Sequence, residues 1–344
     1  MRRTTAADGP VRRTVLTGAL GLTAALLTGC GIRLDRDPAL PELSPDDQLR
    51  DAVARALAAI DPEAGAGASD PVRQAVQTFA EAVGPPWNPP ADLAEPVDPP
   101  HTDPPPTDAA TGLADVARLV AEAVGAADGS AASTSPVLAV LLDVTAGALL
   151  HLDDLDADAA GQIRSSLADS LAALLEEADD ESAGPSASAT GTAADGATPA
   201  EGASPLEALA TACYAAEYAY ERAAVHLTGD DPARSGTSGR IAHLQGIVAA
   251  LGALAPGTAL PSDRPAWDLP EDPHDAATAR TVLQSAEDHL VAVLLDAQAS
   301  VPPAAFAVWL DDSARARSRA EGPQDLRFEV RPVSQESDSQ EDAA

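Results

Sequence analysis

Apolar residues along most of this chain recur every three or four positions, which is the spacing of one helix face. Several of these stretches open with Ser or Asp followed closely by Pro or by acidic residues, a typical helix-start signal. No run of alternating Val, Ile and Thr indicates a strand, so the predicted fold class is all-α. Five helices are predicted in the first half, and they begin near Ser44, Asp70, Asp108, Ser135 and Asp158.

A second set of four helices is predicted in the last third of the chain. The first begins at Ser204-Pro205-Leu206-Glu207, a capping box with proline at the first helical position. The second covers about 238–254, the third begins after Asp275, and the fourth follows Val301-Pro302-Pro303. These four helices form a second helical set, preceded by a separate helical region.

Four chemistry-bearing side chains fall on or beside the apolar stripes of this second set. Cys213 and Glu217 lie on the stripe of the first helix, and Glu287 lies on the stripe of the third. His243 lies on the flank of the second helix. Cys213 has no partner for an intramolecular disulfide if Cys30 is used otherwise, and its place on an apolar stripe predicts a buried, unreactive thiol.

The N-terminus carries an export signal. Arg12 and Arg13 precede an apolar run of about fifteen residues without an acidic side chain, which is signal-peptide length and too short to span a bilayer. The run ends in Leu27-Thr28-Gly29-Cys30, which resembles the lipobox of bacterial lipoproteins. That resemblance implies that the Cys30 thiol receives a diacylglycerol and becomes the mature N-terminus.

The signal predicts a protein that is anchored by lipid to the outer face of the cytoplasmic membrane, in the cell envelope. Arg12-Arg13 also fits a twin-arginine signal, so the twin-arginine and general secretory routes both stay open.

Changes in composition divide the chain into six segments. They are a signal peptide (1–29), the lipidated Cys30 with its tether (30–43), an N-terminal helical region (44–178), a disordered linker (179–203), a helical bundle (204–320) and an acidic disordered tail (321–344). The sequence leaves open whether the two helical regions pack against each other.

The chain is strongly acidic, with a formal charge of −33. Removal of residues 1–29 takes away four arginines and one aspartate, which makes the mature chain still more negative. Such a surface repels nucleic acid and anionic lipid headgroups. The sequence therefore predicts no nucleic-acid partner, and the lipid on Cys30 must hold the chain at the membrane.

Three segments of the second helical set carry a family resemblance: EALATACYAAEYAYERAAVHL, RIAHLQGIVAALGAL and ARTVLQSAEDHLVAVLLDAQ. They resemble the ferritin-like domain of unknown function that occurs in actinobacterial lipoproteins. The resemblance covers about 204–320, and the lipobox and the absence of lysine agree with it. It implies an antiparallel four-helix bundle.

A ferritin-like di-iron site needs a Glu from each of two helices and a Glu-x-x-His motif from each of the other two. Glu217 and Glu287 could supply the first pair, but Arg240 stands three residues before His243, where the motif needs Glu. A weaker iron or manganese site formed by Glu217, His243 and Glu287 remains an alternative. The other interpretation pairs the glutamates, as buried acids, with His243 or with an arginine such as Arg222.

No motif for nucleophilic, nucleotide-dependent or zinc-dependent catalysis occurs in the sequence. We therefore expect a non-enzymatic envelope binding or interaction module, without a cofactor, whose partner is an envelope protein or a small ligand. The metal-binding bundle is the alternative from another class. A third alternative, a small-molecule or peptide carrier, predicts an apolar cavity between the two helical regions.

Overall fold

The structure, a computed structural model, describes residues 43–61, 63–65, 69–89, 101–127, 135–182 and 204–321. These residues form nine α-helices and almost no strand, which confirms the all-α fold class. The predicted signal peptide, all of the predicted tether except Leu43, most of the predicted linker and all of the predicted tail except Glu321 lie outside the described residues.

The five N-terminal helices begin where the start signals predict. Their bounds are α1 (Pro45–Ala58), α2 (Asp70–Val83), α3 (Ala109–Ala126), α4 (Pro136–Leu155) and α5 (Ala157–Ser182). Ser44 caps α1 by accepting a hydrogen bond from the backbone N–H of Asp47, and Asp108 caps α3 in the same way. Helix α5 extends four residues into the segment that the composition assigned to the linker.

The four C-terminal helices are α6 (Pro205–Ala224), α7 (Pro232–Leu254), α8 (Ala276–Asp296) and α9 (Pro303–Glu321). Both halves of the predicted capping box at Ser204 are formed. Helix α7 begins six residues before its predicted start, because Asp231 caps it and Pro232 occupies its first turn. Gly236 and Gly239 weaken the helical pattern in this turn, which explains why the sequence placed the start too late.

Two short strands tie the proline-rich segment after α2 to the rest of the body. β1 (Ile60–Asp61) pairs in parallel with β2 (Thr107–Asp108). No alternation of apolar and polar residues predicts these two strands. Gly112 is required at this point because a Cβ atom there would lie 2.3 Å from Cγ1 of Ile60. The strands and Gly112 therefore fix the start of α3 against the end of α1.

Helix α9 joins the two helical regions, which belong to one compact unit. It packs against α7 and α8 of the C-terminal set and also against α4 and α5 of the N-terminal set. Nε of Arg164 on α5 donates a hydrogen bond of 2.8 Å to Oδ2 of Asp311 on α9, and the same guanidinium also pairs with Asp153. The question that the sequence left open is thus answered for the described residues, because the two regions pack together.

Helix α4 is the most apolar helix of the described body. By length and composition it could cross a membrane, but 67% of its most apolar window is buried among the other helices. It packs against α1, α2, α3, α5 and α9. This is the environment of a central core helix, as the sequence predicts for the N-terminal region.

Candidate functional site

Glu287 is the centre of a buried polar network in the C-terminal set of helices. Its side chain on α8 is 0% exposed. Arg240 on α7 binds both carboxylate oxygens, with Nε 2.8 Å from Oε1 and Nη2 2.7 Å from Oε2. The hydroxyl of Tyr220 on α6 donates a further hydrogen bond of 2.8 Å to Oε1. A two-pronged guanidinium contact of this kind is among the strongest ways to neutralise a carboxylate.

Each of the four C-terminal helices contributes one side chain to this network. Ser313 on α9 completes the set, since its hydroxyl accepts a hydrogen bond of 2.8 Å from Nη2 of Arg240. Burial lowers the pKa of Arg240, but the Glu287 carboxylate outweighs that effect and keeps the pKa above its ordinary value. Burial and the same carboxylate raise the pKa of Tyr220 well above its ordinary value. Arg240 is therefore charged, and Tyr220 is a neutral donor.

One nitrogen of this network has no hydrogen-bond partner among the described residues. Nη1 of Arg240 is buried and makes no hydrogen bond within the described residues. A buried donor that is left unsatisfied is unfavourable, and it is rare in folded proteins. This atom therefore marks a position where the described residues do not complete the polar network.

The structure does not bring Glu217, His243 and Glu287 together. Glu217 is half-buried and accepts a hydrogen bond from the side-chain amide of Gln245. Nε2 of His243 lies 2.7 Å from Oδ2 of Asp312, within ion-pair distance although it is not aligned for a hydrogen bond. No group of three His, Cys, Asp or Glu side chains with metal-site geometry occurs among the described residues. The donor set expected for the weaker metal site does not converge.

The buried-acid interpretation fits Glu287, with Arg240 as the partner in place of the two candidates named from sequence. Arg222 pairs instead with the exposed Asp272, and His243 pairs with Asp312. The signal that could have identified Arg240 is its position three residues before His243. A di-iron Glu-x-x-His motif would have a glutamate at this position of α7, whereas this chain has an arginine.

Cys213 is buried, as its place on the α6 stripe predicts. The residue is 1% exposed, and burial together with the nearby carboxylates raises the pKa of its thiol to about 12, although Arg240 acts in the opposite direction. A thiol with such a pKa carries almost no thiolate at neutral pH. Cys213 is therefore a core residue in the described body.

A polar pocket of about 390 Å³ opens beside the network, between α7 and α9. Its lining consists of Ser235, Gly236, Gly239, Arg240, His243, Asp312 and Arg319. Burial raises the pKa of Asp312, but the contact with His243 and the positive charges of Arg240 and Arg315 outweigh it and bring the pKa below its ordinary value. The pocket thus holds one ionised acid among several basic side chains.

A second buried network lies in the N-terminal region, and the sequence did not predict it. Asp51 is 0% exposed and accepts hydrogen bonds from Nε of Arg55 at 3.0 Å and from the backbone N–H of Trp87 at 2.6 Å. Nδ1 of His101 lies 3.1 Å from the same carboxylate. The contact between Asp51 and Arg55 could have been predicted from their i,i+4 spacing on α1. The contacts with Trp87 and His101 could not, because no local pattern links these residues to α1.

A larger pocket of about 470 Å³ lies next to this second network, between α1, residues 101–107 and α3. A third, of about 260 Å³, lies between α6 and α8 and is lined mainly by alanines. Each of these three pockets lies within one helical region. None of them is the apolar cavity between the regions that the carrier hypothesis predicts.

The chain matches no protein-family model, no curated protein and no solved structure. The ferritin-like resemblance therefore stays an expectation, and function has to be argued from the sequence signals and the geometry described above.

Proposed function

We propose that this chain is a lipid-anchored, extracytoplasmic protein that acts as a non-enzymatic binding module of the cell envelope. We further propose that α6, α7, α8 and α9 form a ferritin-like four-helix bundle. In support, α6 packs against α7 and α8, and α9 packs against the same two helices. This gives a closed ring of four neighbours around the Glu287 network.

The observation that favours this proposal over the metal-binding alternative is the contact between Arg240 and Glu287. In a ferritin-like bundle the interior carboxylates neutralise metal ions. In this chain, the interior carboxylate of Glu287 is neutralised by a guanidinium that is covalently part of α7 and always charged. Because Arg240 already neutralises the Glu287 carboxylate, this carboxylate does not need a metal ion as its counter-charge. The donor set therefore does not fit a di-iron centre.

The envelope location rests on the sequence of the N-terminus. The tetrapeptide Leu27-Thr28-Gly29-Cys30 supplies an acylation site, and more than one acyl chain is needed for stable anchoring. The negative charge of the chain opposes contact with anionic headgroups. Lipid on Cys30 is thus the feature that would keep the helical body at the membrane.

Metabolic labelling with a radioactive fatty acid in a bacterial host tests the location. We expect the full-length chain to incorporate the label and to sediment with membranes, and Cys30→Ser to lose the label, because Cys30 is the acylated residue. Cys213→Ser is the matched control and is expected to stay labelled. An unlabelled full-length chain, or equal labelling of the Cys30→Ser variant, would rule out the lipoprotein proposal.

A further inference from the structure

The pocket between α7 and α9 has the chemistry of an anion site. We propose that it binds a small ligand through an oxyanion, either a carboxylate or a phosphate group. The inference rests on the proposed binding role and assigns it a place and a ligand class. It does not depend on lipid anchoring, because every residue of the pocket lies in α7 or α9.

The first reason is the incomplete hydrogen bonding of Arg240. Nε and Nη2 bind Glu287, and Nη2 also binds Ser313, whereas Nη1 is buried without a hydrogen-bond partner among the described residues. Arg240 is 5% exposed, and it lines the pocket. Because a guanidinium carries only donors, the group that completes it must be an acceptor. An oxyanion is the acceptor that guanidinium groups bind most strongly.

The second reason is a second guanidinium on the same pocket. Arg319 on α9 lines it and makes no hydrogen bond or ion pair with any described residue. Its Nη1 would lie 3.1 Å from a Cβ atom at Gly236, so the side chain lies along the start of α7. In a chain with 54 acidic and 21 basic residues, an arginine without a carboxylate partner beside a buried arginine is unusual.

The remaining lining fits a small anion. Gly239 has no side chain, and an added Cβ atom there would meet nothing within 4 Å, so this part of the lining leaves room for a ligand. Asp312 is the one acid among these lining residues; Nε2 of His243 lies 2.7 Å from its carboxylate, and Nη1 of Arg315 lies 3.9 Å from it. Glu287 is not one of the lining residues, and its carboxylate already accepts hydrogen bonds from Arg240. Arg319 is thus the guanidinium on this lining that has no carboxylate partner among the described residues.

Calorimetric titration of the full-length chain in a mild non-ionic detergent tests this inference. Sodium phosphate and sodium acetate are the probes, and sodium chloride at matched ionic strength is the blank. We expect at least one of the two probes to bind with a saturable heat signal. Sodium chloride is expected to give no saturable signal, because it acts only by screening charges. Binding of phosphate alone assigns the site to phosphate-bearing ligands, and binding of acetate assigns it to carboxylates.

Two variants locate the site, and each has a matched control. Gly239→Leu places a large side chain in the pocket. Gly246→Leu places the same side chain at another position of α7, outside the pocket lining. An added Cβ atom at either glycine would meet nothing within 4 Å, so neither variant clashes at that atom. Arg319→Gln removes a charge from the pocket, and Arg222→Gln removes one from the exposed surface of α6. We expect about tenfold or greater weakening for each pocket variant and no change for its control.

Failure of this inference differs from failure of the proposed function. The inference is overturned if neither probe saturates below about 10 mM, or if Gly239→Leu and Arg319→Gln bind as well as their controls. Fatty-acid labelling of Cys30 would be unaffected by either result.

Discussion

Replacement of Arg240 by Met is expected to lower the free energy of unfolding by about 3–5 kcal/mol. The variant leaves Glu287, whose side chain is 0% exposed, without its counter-charge and without two of its three hydrogen bonds. Tyr220 is the hydrogen-bond donor that remains to the carboxylate. Chemical denaturation of residues 31–344, which contain the whole described body, measures the loss.

A double-mutant cycle separates the ion pair from other effects of the substitution. Glu287→Gln alone is expected to be strongly destabilising because it leaves Arg240 buried and uncompensated. In the double variant Arg240→Met with Glu287→Gln neither position of the pair carries a charge, and the Gln oxygen can still accept a hydrogen bond from Tyr220. We therefore expect the double variant to be more stable than the sum of the single losses predicts, by at least about 2 kcal/mol.

Arg222→Met is the matched control, because it removes the same side chain from the exposed pair with Asp272. The free energy of unfolding should be nearly unchanged in this variant, since exposed ion pairs add little stability. Equal losses for Arg240→Met and Arg222→Met would show that the buried network does not stabilise the fold.

Asp143→Asn is expected to stabilise the protein at about pH 8 by up to about 4 kcal/mol and to have little effect at about pH 4. Asp143 lies on the core helix α4 and is 7% exposed. Burial raises the pKa of its carboxyl group from 3.8 to about 7. The ionised form is therefore disfavoured in the folded state.

The sign of this effect follows from proton linkage. Below about pH 4 the carboxyl group of Asp143 is protonated in both the folded and the unfolded chain and does not change the free energy of unfolding. Between about pH 4 and pH 7 the unfolded chain loses the proton while the folded chain keeps it, so stability falls as the pH rises. Above about pH 7 the penalty is constant, and the neutral Asn avoids it.

Asp169→Asn on α5 is the control, because it makes the same chemical change at an exposed position. The stability difference between this variant and the wild type should not grow between about pH 4 and pH 8. Urea denaturation at several pH values measures both differences. A pH-independent effect of Asp143→Asn would contradict the raised pKa.

Local signals were enough to predict most of the helices. Ser44, Asp108 and Ser204 cap the helices that they were expected to cap, because an N-cap depends on residues within one turn. The burial of Cys213 was predictable for a similar reason, since the stripe of α6 determines which side chains face inward. The start of α7 was placed too late because glycines obscured its cap.

Contacts between distant parts of the chain could not be predicted in this way. Arg240 meets Glu287 across 47 positions, and Arg164 meets Asp311 across 147 positions. Neither pairing follows from periodicity, because each depends on how complete helices pack. The parallel pairing of β1 with β2 was not predicted either. It also joins distant parts of the chain, and strands of two residues are too short to show alternation.

The central position of α9 was also not predictable. Its sequence contains three arginines at 315, 317 and 319, a residue type that is mostly exposed in folded proteins. In the structure, Arg317 is 5% exposed, and its Nε donates a hydrogen bond of 2.6 Å to Asp288 on α8. Partners supplied by a neighbouring helix thus make burial of an arginine possible, and α9 packs between the two helical regions.

Metal content is the measurement that tests most directly whether Arg240 replaces a metal as the interior cation. Residues 31–344 are purified without chelator after growth with iron, zinc and manganese, and bound metals are quantified by mass spectrometry. We predict less than stoichiometric metal, with no change in Glu217→Gln. Near-stoichiometric iron or manganese that is lost in Glu217→Gln would contradict the proposal and establish a metal-binding bundle.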